Sequence, residues 1–62
     1  MPFDPDETVT LYNQGPMTLR MAVERVMREK LQGFDATILR KGNPSILRLP
    51  QIKMLAADWD IS

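Results

Sequence analysis

Neither cysteine nor histidine occurs among the 62 residues of this chain. Without cysteine there can be no disulfide and no thiolate nucleophile or ligand. Without histidine the chain lacks the commonest metal ligand and the commonest general base near neutral pH. Only three glycines are present and they are scattered, so no glycine-rich phosphate loop can form. No apolar run approaches the ~18 residues that a membrane span requires, and no signal-peptide pattern opens the chain. Net charge is also missing: eight basic and eight acidic side chains cancel. Together these absences predict a soluble, cytoplasmic protein that is not an enzyme, with no catalytic residue, no cofactor and no metal site. Asp4, Asp6 and Glu7 lie close together but lack the spacing of a calcium loop.

The charges that are present are unevenly placed. All eight basic side chains fall between residues 18 and 53, where only Glu24, Glu29 and Asp35 oppose them. Eight positive against three negative charges leave this centre at +5, between an acidic beginning and an acidic end. A basic centre suits an anionic partner, although solvated surface is the ordinary fate of such residues. Length imposes a second constraint. A chain of this size buries only about 60% of its unfolded surface and is marginal alone. With disulfides and metals excluded, self-association is the remaining way to stabilise it.

The first seven residues carry two prolines and three acids. They predict a flexible arm over residues 1–7, with Phe3 as a possible anchor, ahead of one small domain over residues 8–62. Thr8–Tyr12 alternates, Val9 and Leu11 on one side and threonines on the other, as a short strand does. Asn13-Gln14-Gly15-Pro16 reads as its end. Met17–Gln32 predicts a helix: Leu19, Ala22, Val23, Val26, Met27 and Lys30 recur at helical spacing, with Leu31 adjoining. Thr18 is its expected N-cap and Gly33 its expected stop, and Glu24 is spaced to support Arg20 and Arg28.

The centre of the chain, Asp35–Pro50, predicts a β-hairpin. Two short apolar runs, Ala36–Arg40 and Ser45–Leu49, flank Lys41-Gly42-Asn43-Pro44. Each run places aliphatic side chains on both faces, so either helices cover both faces or one face meets another copy of the chain. Leu39 and Leu47 are the candidates for that oligomer interface. Pro50–Asp60 predicts a second helix with Ile52, Leu55, Ala56 and Trp59 as its apolar stripe. The expected fold is α+β, a small β-α-β-β-α domain with a central hairpin and two amphipathic helices. Val23, Val26, Ile38, Leu47, Leu55 and Trp59 should share its core.

Between Met17 and Leu55, 39 residues, the chain resembles the core of prevent-host-death (Phd/YefM-type) antitoxins. Those proteins show an "EAR"-containing helix, a strand ending in "ITRRG", then "xPVAVLVP" and a short helix. Here TILRKG stands at 37–42, NPSILRLP at 43–50 and IKML at 52–55. The helix opens with Met-Thr-Leu-Arg where the family has Ser-Glu-Ala-Arg, so of that motif Arg20 is kept. The resemblance implies a dimer that holds operator DNA through basic residues of the helix and hairpin. Arg20 falls on the arginine of "EAR", and Arg40 and Lys41 on the basic pair of "ITRRG". Two readings of function follow. One is a small homo-oligomeric interaction module of unknown partner, which could be another protein. The other is an antitoxin-like DNA-binding autoregulator that uses Arg20, Arg40 and Lys41.

Overall fold

The computed structural model describes residues 3–61. Strand β1 (Thr8–Leu11) and strand β2 (Gly15–Thr18) form a first hairpin, and helix α1 (Leu19–Glu29) follows at once. A single 3-10 turn (Gly33–Ala36) leads to β3 (Ile38–Leu39), β4 (Ile46–Leu47) and helix α2 (Leu49–Asp58). The four strands form one antiparallel sheet in the order β2-β1-β3-β4. The α+β class is as expected, with one strand more than the sequence signals announced.

That additional strand is β2. Asn13 and Gly15 take positive φ (65° and 97°), and the Gln14 N–H donates to the Leu11 carbonyl at 2.9 Å, so the chain reverses instead of stopping. Positive φ is cheap at glycine and tolerated by asparagine. Pro16 then sits within β2, opposite Thr10. Proline reads as a breaker, yet β2 is an edge strand, where a missing N–H need not cost a ladder bond. Because β2 extends through Thr18, α1 starts at Leu19, not Met17. Thr18 is its N-cap as expected, its Oγ1 accepting from the Met21 N–H at 3.2 Å. At the other end Lys30, not Gly33, takes the left-handed conformation that closes the helix, and its N–H donates to the Val26 carbonyl.

The second hairpin pairs Ile38 with Leu47 and Leu39 with Ile46. It is the predicted hairpin shortened to two residues a side. Helix α2 begins one residue before Pro50, and the Gln51 side chain accepts from the Arg48 N–H at 2.9 Å. It ends where Asp60 turns left-handed (φ 57°) and the Ile61 N–H donates to the Ala56 carbonyl at 2.8 Å.

Strand register sorts the side chains into two faces. Leu11, Ile38 and Leu47 lie in one row across β1, β3 and β4 and are fully buried. With Val9 they meet Leu19, Ala22, Val23 and Val26 of α1 and Ile52, Leu55 and Ala56 of α2 in one core. Trp59 packs against this core while partly exposed, so all six residues expected to cluster do so. Both helices therefore lie on the same face of the sheet, and the expected two-sided covering of the hairpin is not provided within one chain.

Two stability measurements test this packing. Leu55→Ala should cost about 2–5 kcal/mol by lost burial and a residual cavity, and an unchanged midpoint in urea would mean that α2 does not dock. Thr37 is buried, and its hydroxyl has no hydrogen-bond partner among the described residues. Thr37→Val should therefore stabilise the fold by about 1 kcal/mol in the same titration, because the desolvated hydroxyl is removed at nearly constant shape.

Candidate functional site

The five residues singled out in the sequence go to different fates. Arg20 stands exposed near the start of α1, its Nε 3.8 Å from Glu24, a solvent-screened pair of little energetic weight. Lys41 is exposed in the loop between β3 and β4. Arg40 is the opposite case. Its side chain is only 8% exposed, and its guanidinium grips Glu7 with Nη2–Oε1 at 2.8 Å and Nε–Oε1 at 3.2 Å. Nη1 also donates to the Pro44 carbonyl at 2.9 Å, and the guanidinium lies 4.9 Å from the centre of the Phe3 ring. Three of its five N–H donors are committed and its face is stacked, so little of Arg40 is free for a phosphate or a base edge. Arg40 is thus not the solvated side chain of an ordinary hairpin end, and contact with DNA would require this grip to open.

The partner of Arg40 is held in place by the chain before β1. Asp4 forms a turn around Pro5: its side chain accepts from the Asp6 N–H at 2.9 Å, and its carbonyl from the Glu7 N–H at 3.1 Å. The Pro5 and Glu7 carbonyls then accept from the Arg20 and Leu19 N–H groups at 2.9 and 2.8 Å. Those two donors belong to the first turn of α1 and have no intrahelical acceptor. Residues 3–7, expected as an arm with Phe3 as anchor, thus cap α1 and present Glu7 to Arg40. Met1 and Pro2 lie outside the described residues.

Leu47 was expected at an oligomer interface and is instead fully buried in the protomer's own core, because register turns it towards the helices. It cannot serve a partner surface. Leu39 does face outward, 42% exposed, and its cross-strand neighbour Ile46 is 44% exposed beside it. The same lateral row continues through Thr10 on β1 to Pro16 on β2. Thr8 and Thr18 pair on this side as well. Continuing the alternation one residue past β1 brings Tyr12 to this side, its ring centre 6.2 Å from that of the exposed Phe34. No charged side chain belongs to the row. Ile46 was not singled out because aliphatic residues occupy both faces of its strand, and only the register shows which of them is outward.

Among the described residues no group of three or more acidic side chains is gathered as a metal site would require. None of the described helices is long and apolar enough to cross a membrane. What the surface offers is an open sheet face with adjoining apolar side chains, and a hairpin whose basic end is tied inward.

The Arg40 clamp generates its own test. Arg40→Ala leaves Glu7 partly buried without its counter-charge and should cost about 3 kcal/mol, the low end for a broken buried pair. Arg40→Lys keeps the charge but loses the two-pronged grip and should fall between wild type and alanine. Equal urea midpoints for all three proteins would show that the clamp is energetically idle.

Comparison with protein-family models, with curated proteins and with solved structures finds no match to this chain.

Proposed function

We propose that this protein is a small homo-oligomeric interaction module that pairs with a second copy through the open face of its sheet. The observation that carries this reading is the adjacent, half-exposed Leu39–Ile46 pair on an uncharged row spanning all four strands. Contiguous exposed apolar side chains are the kind of feature that marks interaction surfaces, and Leu39 and Ile46 are neighbours across the ladder. The row itself carries no formal charge, with Lys41 at its border, and an uncharged row suits self-pairing, because a two-fold interface sets each residue against the same patch of the other copy. The edges of the sheet are poorer routes. β2 carries Pro16 and β4 is only two residues long, both features that discourage strand addition. Small size supplies the driving force, since a domain of this length gains most from burying further apolar area.

The antitoxin-like alternative, an operator-binding autoregulator, would have to rely on Arg20 and Lys41, with Arg40 engaged inside the fold. A dimer formed through the sheet face is common ground between the two readings. Salt-sensitive binding to DNA would distinguish them, since phosphate contacts release counterions.

Sedimentation velocity is the decisive measurement. Wild-type protein should sediment as a dimer at about 100 μM, a concentration at which even a micromolar association is nearly saturated. Leu39→Glu should sediment as a monomer with an unchanged far-ultraviolet circular dichroism spectrum, because the position is already half in water. A wild-type monomer at that concentration would overturn the proposal.

A further inference from the structure

The helical layer carries a second feature, which shares no residue with the row on the open sheet face. Where the end of α1 passes the start of α2, a groove of about 230 Å³ opens. Half-buried Met27, Leu31 and Leu49 form its floor over Val26, and Lys30 and Lys53 stand among its lining residues. None of the lining residues is acidic. Among the described residues neither lysine lies within ion-pair distance of a carboxylate. The first turn of α2 also contains no acidic residue, so no side chain there offsets the positive end of that helix.

Lys30 has a further peculiarity. It occupies the left-handed conformation (φ 54°) at the end of α1, a position that glycine or asparagine fills with less strain. A lysine there costs backbone energy and places an ammonium at the groove, unpaired. Strained residues that the fold tolerates tend to gather where they serve binding.

We infer that this groove is a docking site for an acidic peptide segment of a partner protein, one apolar side chain seated on the Met27–Leu31–Leu49 floor and flanking carboxylates paired with Lys30 and Lys53. Charge and size select this occupant. The volume falls below the ~300–1,000 Å³ of pockets that hold whole small-molecule ligands, but it accepts a single anchor side chain. The apolar floor offers nothing to a nucleic-acid backbone, whereas a hydrophobic anchor with acidic neighbours matches both the floor and its rim. The site is independent of the sheet face, so the module can hold its second copy and this peptide at once.

The test uses the full chain and a fluorescein-labelled probe peptide, Glu-Asp-Leu-Asp-Glu, followed by fluorescence anisotropy. Saturable binding is expected with a Kd on the order of 100 μM, as befits so small a footprint. Replacing the probe's leucine by alanine, or its acids by their amides, should weaken binding at least about tenfold, as should the double variant Lys30→Glu, Lys53→Glu. Lys30→Gly provides the control for folding: it should raise thermal stability by relieving the left-handed strain while weakening the probe. Absence of saturation at 1 mM, a scale marking very weak association, would overturn the proposal, and so would binding indifferent to the lysine variants. Displacement of the probe by decanoate as effective as that by unlabelled peptide would assign the groove to an amphiphile and overturn it. Loss of self-association in the double lysine variant would make the occupant a second copy and overturn it too. Failure of the probe with an intact wild-type dimer would leave the sheet-face reading standing.

Discussion

The contact between Glu7 and Arg40 joins parts of the chain that secondary structure alone would leave loosely connected. Thirty-three residues separate them in sequence. Glu7 belongs to the segment whose carbonyls cap α1, and Arg40 to the turn that joins β3 to β4, where its own N–H donates to the Ser45 carbonyl at 2.8 Å. One guanidinium thus ties the start of the first helix, the segment before β1 and the loop of the second hairpin to a single point. A two-residue hairpin has little stability of its own. Its persistence here depends on β1 pairing with β3 on one side and on this clamp beyond the end of the ladder.

Much of the fold was legible because local rules coincide with global need. The alternation in Thr8–Leu11, the helical stripe from Leu19 to Val26, Thr18 as a cap and the stripe of α2 all follow from the periods of strand and helix. The parts that were not legible share a physical cause: they depend on where an element sits, not on what it contains. Pro16 is compatible with a strand only because β2 lies at an edge. Leu39 and Leu47 are chemically alike, and only register sends one outward and the other into the core. Arg40 looks like any surface arginine until a distant glutamate is brought beside it. The Asp4-Pro5 turn was signalled by its composition, since aspartate before proline favours turns, but the same prolines read more readily as disorder.

The two layers of the domain divide its surface chemistry. On the sheet side, the row from Pro16 through Thr10 and Leu39 to Ile46 is uncharged, with Lys41 at its border. On the helical side the basic residues are conspicuous, with Arg20, Arg28, Lys30 and Lys53 all exposed. Under the two proposals above, a chain with no net charge would present one face to its own kind and a groove elsewhere to an acidic segment. Overall neutrality conceals that division, and the location of each charge within the fold displays it.

The proline in β2 has a consequence for how large an assembly can become. Strands that add at an exposed edge leave a new edge of the same kind, and such growth has no natural end point. Face-to-face stacking of two sheets consumes both contacting surfaces and presents helices outward on either side. With Pro16 obstructing one border of the sheet and the other border shortened to Ile46–Leu47, edge-to-edge polymerisation into fibres is discouraged by construction, and under the proposed face-to-face pairing a closed pair would be the stopping point of association.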